Sequence, residues 1–219
     1  MRCRLCNAAM SGNLQLSDLA WRPYQRLHLC QRCLRTFEIL VDRPTCPGCG
    51  RANDGALCQD CHRWEQQGET LLHHSALFTY NTAMKAFIQQ YKGLGDYRLH
   101  DAFAGMWPHW LQHWTLVPIV SEPGHLDRRG FDPVLGLFAD LPLRQLLAKA
   151  ATDKPQAQKT RAERLQTPQS FAVVQPVSGI KQILLLDDLY TTGRTLYHAK
   201  DALVAAGFQG KVQSFSLIR

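Results

Sequence analysis

The stretch that decides the fold is Ile183-Leu184-Leu185-Leu186-Asp187-Asp188-Leu189-Tyr190-Thr191-Thr192-Gly193-Arg194-Thr195. Its four aliphatic residues are typical of a buried strand in a parallel sheet, and two adjacent carboxylates follow them. A loop of hydroxyl side chains and a glycine then opens a helix, predicted over 192–206 and ended by Gly207. Loop N–H groups, threonine hydroxyls and the helix dipole all favour a phosphate here. Asp187 and Asp188 lie one loop away, where they can accept hydrogen bonds from two ribose hydroxyls.

The chain beyond residue 70 alternates the hydrophobic patterns of strands and helices. Apolar residues recur at helical spacing after Asn81 or Thr82, either of which can cap a helix. We expect strands at 77–80, 116–120 and 212–218, and a second helical stretch at 99–114. This alternation predicts an α/β domain with a mostly parallel sheet. Because ligands bind outside the carboxyl ends of strands in such sheets, the Thr-Gly loop lies where a ligand would bind.

The cysteines lie in one part of the chain only. All eight fall within the first 61 residues, as the four Cys-x-x-Cys pairs Cys3/Cys6, Cys30/Cys33, Cys46/Cys49 and Cys58/Cys61. Four thiolates close one tetrahedral structural site, so the eight predict two Zn²⁺ sites. The short gap between Cys49 and Cys58 favours sequential pairing, first pair with second and third with fourth. A crossed arrangement, which joins the first pair to the third, and redox dithiols are the alternatives.

Composition and charge bound the function only loosely. The 219 residues are 45% hydrophobic and 20% charged, an ordinary composition that excludes a disordered, collagenous or coiled-coil chain. We expect a cysteine module over 1–70 and an α/β domain over 71–219. The formal net charge of +7 falls to about +3 once two zinc ions and eight thiolates are counted, so it is weak evidence for a nucleic-acid partner. Without a bilayer-length apolar run or a secretory signal, we expect a cytoplasmic protein with no membrane insertion.

Residues 183–195 resemble the 5-phosphoribosyl-1-pyrophosphate (PRPP) signature of type I phosphoribosyltransferases. The resemblance implies that the ribose 5-phosphate is held by a cradle of Thr191, Thr192, Gly193, Arg194 and Thr195. It also implies that Asp187 and Asp188 bind the ribose hydroxyls. Mg²⁺ commonly accompanies PRPP in that family, bound mainly by oxygens of the ligand. The expected fold class is therefore α/β, a type I phosphoribosyltransferase-like domain preceded by a small zinc-binding module.

Further stretches extend the resemblance along the whole chain to the ComF family of late competence proteins. They are Tyr91-Lys92-Gly93-Leu94-Gly95-Asp96, Val117-Pro118-Ile119, Arg128-Arg129-Gly130-Phe131-Asp132 and Gln158-Lys159-Thr160-Arg161-Ala162-Glu163-Arg164-Leu165. By this resemblance Lys92, Arg128 and Arg129 border a pyrophosphate subsite, where guanidinium groups suit phosphate. The chain departs from the family at Val120, where proline is usual, and at Asp132-Pro133, where Asn-Gln is usual.

Two other groups of residues are candidates for a functional role. Residues 144–164 hold six Lys and Arg against two acidic residues. They are interpreted as a loop that closes over PRPP, a basic strip for single-stranded DNA, or a solvated surface. His109 and His113 stand four residues apart beside three tryptophans but have no evident third metal ligand. We interpret them as part of an aromatic cluster.

Three hypotheses for function follow. The ComF resemblance implies a competence accessory protein for natural transformation, which handles incoming single-stranded DNA with a ComFA-type helicase and binds PRPP or a related phosphate ligand. The alternative is an active phosphoribosyltransferase that transfers ribose 5-phosphate from PRPP to an unknown acceptor, although no residue indicates a general base. A purely structural zinc-linked scaffold explains the cysteines but leaves the phosphate loop without a role.

Overall fold

The computed structural model describes residues 1–10, 28–40, 43–150 and 170–219, whose strands form two sheets. The strands are β1 (His74–Phe78), β2 (Thr115–Pro118), β3 (Leu147–Lys149), β4 (Phe171–Val173), β5 (Gln182–Leu189) and β6 (Lys211–Ile218). Four of them form a sheet in the order β1-β6-β5-β2, in which every pair is parallel. The other two, β3 and β4, pair antiparallel. The predicted α/β class with a mostly parallel sheet is confirmed.

Strand β5 lies inside the sheet, between β2 and β6. Leu185 is in register with Val117 on one side and with Ser214 on the other. Residues 183–186 are completely buried, as expected for a strand covered on both faces. The strand continues through Asp187 and Asp188, so the acidic pair still belongs to the sheet. Its carboxylates are therefore held by strand geometry at the carboxyl edge.

Short helices surround the sheets. They are α1 (Gln31–Leu34), α2 (Gln59–Gln66), α3 (Thr82–Ile88), α4 (Pro123–Arg129), α5 (Pro133–Leu137) and α6 (Arg194–Ala205). Asn81 caps α3, because its side chain accepts a hydrogen bond from the Met84 N–H at 2.9 Å. Gly207 follows α6 with a φ of 86°, as expected for a helix end. None of the described helices has the length and apolar character needed to cross a bilayer.

The predicted helix over 99–114 is wrong. Two 3₁₀ helices, Tyr97–Leu99 and His109–His113, stand there, and turns join them. Gly105 adopts a φ of 76° and Pro108 lacks an N–H, so a continuous α-helix is interrupted at two points. The two histidines of the second 3₁₀ helix are exposed. Among the described residues neither belongs to a group that could hold a metal ion.

The hydrophobic core forms two clusters, one on each face of the parallel sheet. Successive residues of a strand point to opposite faces. Leu184 and Leu186 accordingly belong to one cluster, and Ile183 and Leu185 to the other. Several aromatic rings fill the first cluster: Phe37 and Phe103 contact each other, and each also contacts Phe78 and Phe87.

The cysteine-rich segment packs into both of these clusters. Cys3, Leu29 and Phe37 join the first cluster. The second takes in three other cysteines together with Trp64 and Leu72. Residues on both sides of position 70 thus share the same cores, and the division of the chain into domains 1–70 and 71–219 stays a prediction.

Candidate phosphate-binding site and metal centres

The predicted phosphate loop lies at the carboxyl end of the parallel sheet. β5 ends at Leu189, and α6 begins after Gly193, its N-cap residue. The loop between them borders a cavity of about 680 Å³. The sequence-predicted residues that line this cavity are Lys92, Arg129, Asp187, Asp188, Thr191, Thr192, Gly193, Arg194 and Thr195. Ligands of open α/β sheets bind at this position.

Tyr190 and Gly193 determine how the loop bends. The Tyr190 N–H donates to the Ile218 carbonyl at 3.0 Å, which ties the start of the loop to β6. Gly193 has a φ of 80°, and a Cβ placed on it would stand 2.3 Å from the Tyr190 hydroxyl oxygen. Only glycine meets both conditions without strain. The loop therefore turns tightly from strand to helix, with Thr191 exposed and Thr192 buried.

Lys92 reaches the acidic pair from the π-helix Gln89–Gly93, which continues α3. Its ammonium group donates to the carboxylate of Asp188, and the Asp188 side chain is almost completely buried. Burial disfavours the charged carboxylate, but the Lys92 charge outweighs burial and holds the pKa of Asp188 below its ordinary value. Burial likewise opposes the charge on Lys92, and Asp188 nevertheless raises the pKa of that ammonium. Both groups are therefore charged at neutral pH.

Asp187 has the opposite electrostatic character. Burial first, and then repulsion from the Asp188 charge, raise the pKa of Asp187 to about 8. Its Oδ1 also accepts a hydrogen bond from the Asp188 N–H at 2.9 Å. Near neutral pH the pair thus combines one carboxylate with one protonated carboxyl. Together they can accept and donate hydrogen bonds to neighbouring hydroxyl groups.

The two predicted arginines lie in different places. Arg129 lines the cavity, and its Nε donates to the Lys92 carbonyl at 2.9 Å. Arg128 is absent from the cavity wall and instead donates from Nε to the Gly124 carbonyl at 3.1 Å, within α4. Adjacent residues of a helix point in directions about 100° apart, so only one of them faces the cavity.

Sequence reasoning missed an ion pair in the cavity wall. Lys149 and Glu122 approach to 3.3 Å, and each side chain is less than one-tenth exposed. Glu122 follows β2, and Lys149 ends β3. The carboxyl ends of neighbouring parallel strands meet at one edge, which could have pointed to Glu122, but no local pattern marks Lys149. Lys85 of α3 also lines the cavity.

The departure from the family at Asp132-Pro133 has a structural explanation. The Asp132 side chain caps α5, since it accepts hydrogen bonds from the N–H groups of Val134 and Leu135, both at 2.9 Å. Its second oxygen accepts from the Ser121 N–H at 2.5 Å. Pro133 occupies the first helical turn, where a missing N–H costs nothing. Asp132 thus anchors the loop after β2, which forms part of the cavity wall.

The eight cysteines form two groups of four. One comprises Cys3, Cys6, Cys30 and Cys33, and the other comprises Cys46, Cys49, Cys58 and Cys61. The sulfur atoms of each group lie within 4.8 Å of one another, so the predicted sequential pairing is confirmed. Neighbouring sulfurs stand 3.5–3.7 Å apart, close to the ~3.8 Å edge of a tetrahedron with Zn–S bonds of ~2.3 Å. Both groups could bind zinc.

Both groups are built on the same plan. In each, the residue after the second cysteine is left-handed, with φ values of 57° at Asn7 and 66° at Gly50. The third cysteine of each group begins a helix and donates its N–H to the sulfur of the first cysteine at 3.3 Å. Burial opposes ionisation of Cys3 and Cys46, but backbone N–H groups outweigh it and lower the pKa of each thiol to about 6. Such thiolates are metal ligands.

The basic stretch 144–164 is described only as far as residue 150. Lys149 lies in the cavity wall, and Arg144 lines a second, adjacent cavity. Residues 151–164 lie outside the described part of the chain. The three interpretations of this stretch therefore stay hypotheses.

The parallel sheet, its acidic pair and its Thr-Gly loop define a phosphoribosyltransferase-like protein, here combined with a cysteine module of the zinc-binding kind. The chain is 36% identical over 223 aligned residues to Competence protein ComFC of Streptococcus pneumoniae (strain ATCC BAA-255 / R6), with all of both chains covered. It is 30% identical over 235 aligned residues to Competence protein ComFC of Bacillus subtilis (strain 168), and this alignment covers 99% of this chain and 94% of the relative. The chain belongs to the ComFC family of competence proteins. No family model matches it.

Proposed function

We propose that this protein is an accessory factor of natural transformation that binds PRPP or a related phosphate ligand in the cavity at the end of β5. The family to which it belongs supports the competence role. The assignment of a phosphate ligand is supported by one observation: an acidic pair, a Thr-Gly loop and the cations Lys92 and Arg129 all line one cavity. Anions and polyols bind where such groups are held in place before the ligand arrives.

Each part of the cavity suits a different part of PRPP. The loop Thr191–Thr195, at the N-terminus of a helix of twelve residues, is the proposed cradle for the 5-phosphate. Asp187 and Asp188 are the proposed partners of the ribose hydroxyls. Lys92 and Arg129 supply positive charge for the pyrophosphate, and Mg²⁺ would be bound mainly by oxygens of the ligand. Binding requires Asp188 to exchange part of its contact with Lys92 for the ribose.

Zinc is the metal proposed for both cysteine groups. Four sulfurs at tetrahedral spacing favour Zn²⁺ over harder cations such as Mg²⁺, which prefer oxygen. The proposed role of the metal is structural, because all four ligands of each site come from the chain and leave no open position.

Single-stranded DNA and a ComFA-type helicase are the proposed partners during transformation. A DNA strand presents repeated phosphates, which the cations around the cavity can contact without reading sequence. Counterion release predicts that such binding weakens steeply as the salt concentration rises. We place the protein in the cytoplasm, where incoming DNA meets the helicase.

An active phosphoribosyltransferase is the second candidate. In that reaction the bond from the anomeric carbon to pyrophosphate breaks, a bond to the acceptor forms, and the acceptor loses a proton. The cavity offers groups that stabilise the leaving pyrophosphate, and the buried Glu122–Lys149 pair stands in its wall. Pyrophosphate release with candidate acceptors distinguishes an enzyme from a binding protein.

The ligand assignment is tested with the double variant Asp187→Asn/Asp188→Asn. We expect at least a tenfold loss of PRPP affinity, measured by titration calorimetry with Mg²⁺, because the variant lacks both the ionised acceptor of Asp188 and the carboxyl group of Asp187 that face the ribose hydroxyls. Affinity for single-stranded DNA should be retained or rise, since Lys92 no longer faces a carboxylate. Asp127→Asn, at an exposed position of α4, is the matched control. Unchanged PRPP affinity in the double variant would show that the ribose assignment is wrong.

The competence role is tested by deletion of the gene in a naturally transformable host. We expect the transformation frequency to fall by at least tenfold, with growth unaffected. Complementation with the wild-type chain should restore the frequency. Normal transformation in the deletion strain would contradict the proposal.

A further inference from the structure

The second cysteine group (Cys46, Cys49, Cys58 and Cys61) is connected to the phosphate loop through Trp64. This residue lies one helical turn after Cys61 on α2 and is 3% exposed. Its indole Nε1–H donates to the Thr192 carbonyl at 3.0 Å. The ring also stacks on Tyr197 of α6, with centroids 4.2 Å apart. The loop backbone at Thr192 is therefore held by a side chain whose helix begins at a metal ligand.

Arg219 forms a second connection. Its guanidinium group donates to the Cys49 sulfur at 2.9 Å and to the Cys49 carbonyl at 2.6 Å. The same group donates to the Tyr190 carbonyl at 3.4 Å and stands 4.5 Å from the centroid of the Tyr190 ring. Tyr190 is the residue against which Gly193 packs. One cation thus bridges a metal ligand and the start of the phosphate loop.

The first cysteine group (Cys3, Cys6, Cys30 and Cys33) makes contacts of a different kind. Arg4 and His28 pair with Asp101, at 2.6 Å and 2.8 Å. Cys3 belongs to the core cluster on the opposite face of the sheet. Both groups share one plan, but among the residues that the structure describes only the second group has these bridges to the loop. The first group is therefore an internal control.

We propose that Trp64 and Arg219 are positioning residues, which couple metal occupancy of the second cysteine group to the conformation of the loop Thr191–Thr195. Neither side chain lines the cavity, so neither acts by direct contact with the anion. The coupling is reciprocal: whatever the metal contributes to anion affinity, the anion contributes to metal retention. The statement about the anion rests on the proposed PRPP ligand, whereas the coupling between metal and loop rests only on the proposed zinc in the second cysteine group.

Hydrogen exchange tests the coupling without any ligand. In Trp64→Phe, which keeps a ring on Tyr197 but removes the indole donor, we expect amides of 190–196 to exchange about five- to tenfold faster. That factor corresponds to about 1–1.4 kcal/mol, the loss of one buried hydrogen bond. Arg219→Met should also accelerate amide exchange in 190–196. Zinc content should stay at the wild-type value in Trp64→Phe, because Trp64 is not a metal ligand.

Metal removal supplies the comparison between the two groups. Cys58→Ser, in the second group, should accelerate exchange in 190–196, and Cys6→Ser, in the first group, should leave that peptide unchanged. Both cysteines are partly exposed. Equal effects of the two variants, or unchanged exchange in Trp64→Phe with its zinc intact, would overturn the proposal.

The PRPP measurement separates this inference from the proposed function. With PRPP and Mg²⁺, we expect the affinity of Trp64→Phe to fall about five- to tenfold, and PRPP to slow release of zinc from the second group only. If wild-type protein binds no PRPP while exchange in 190–196 still responds to Trp64→Phe, the proposed ligand is wrong and the coupling stands. If PRPP binds equally to wild type and Trp64→Phe, and exchange is unchanged, the coupling is wrong and the ligand stands.

Discussion

Asp187 and Asp188 are neighbours in sequence, yet their carboxyl groups lie in different electrostatic surroundings. Asp188 accepts a hydrogen bond from the Lys92 ammonium and stays ionised, whereas at Asp187 burial and the charge of Asp188 outweigh the attraction of the same ammonium. Two adjacent strand residues point to opposite sides, so the ammonium donates a hydrogen bond to Asp188 and acts on Asp187 through its charge alone. The divergence of the two pKa values is therefore a property of single residues and their nearest contacts.

Asp187 should make stability depend on pH in a defined direction. The folded protein holds its proton up to a pKa of about 8, whereas the ordinary value is 3.8. Between these values the folded state binds more protons than the unfolded state, so this group's contribution to the free energy of unfolding falls as pH rises. In Asp187→Asn the side chain does not titrate, so this fall in the free energy of unfolding with rising pH is absent. We expect the melting temperature of the variant, relative to wild type, to be higher at pH 8 than at pH 5.

Scanning calorimetry of both proteins at the two pH values checks this expectation. Asp127→Asn at an exposed site of α4 controls for the loss of a carboxylate. A melting-temperature difference between Asp187→Asn and wild type that is the same at pH 5 and pH 8 would refute the raised pKa.

At the scale of elements, the loop between β5 and α6 must adopt a backbone conformation that fits both the end of the strand and the start of the helix. The chain leaves the sheet at Leu189 and enters the helix through a left-handed Gly193, which lies against the Tyr190 side chain. A second left-handed glycine, Gly207 (φ 86°), follows the end of the helix, and a Cβ placed on it would meet no atom within 4 Å. Gly193 and Gly207 therefore share a left-handed backbone conformation, but only at Gly193 would an added methyl group meet another side chain.

Gly193→Ala and Gly207→Ala form a matched pair. Each should lose about 1–2 kcal/mol of unfolding free energy from the left-handed conformation. Gly193→Ala should lose at least about 1 kcal/mol more, because its methyl group overlaps the buried Tyr190 hydroxyl. Urea unfolding measures both. Equal losses would mean that the close approach of Tyr190 to Gly193 does not constrain the loop.

At the scale of the whole molecule, the two cysteine groups are part of the core. Cys3 packs in the cluster on one face of the sheet, and Cys46, Cys49 and Cys61 pack in the cluster on the other. Metal binding and folding are therefore expected to be linked, since each cluster is completed only when its sulfurs are held together.

Elemental analysis of the purified protein should find two zinc ions per chain. Cys6→Ser and Cys58→Ser should each retain one, because each removes a ligand from a different site. Chelation should lower the melting temperature while preserving a single unfolding transition. A wild-type content below one zinc per chain would reject both sites, and separate transitions after chelation would contradict the linkage to a common core.

The contiguous motifs were predictable from the sequence alone. The strand, acidic pair and Thr-Gly loop of 183–195 are local, and their spacing along the chain dictates strand, turn and helix. The Cys-x-x-Cys spacing likewise predicts a chelating turn, and the short gap between Cys49 and Cys58 indicated the correct pairing. The prediction failed at 99–114, where apolar content suggested a helix although Gly105 and Pro108 interrupt one.

Only the tertiary structure decided which distant residues meet. It selected Arg129 and not Arg128 for the cavity, set Lys92 against Asp188, and brought Lys149 to Glu122. It also placed Trp64 against the carbonyl of Thr192, 128 residues away. The reason is physical: local sequence sets backbone geometry over a few residues, whereas contacts across the chain depend on how two faces of one sheet are covered.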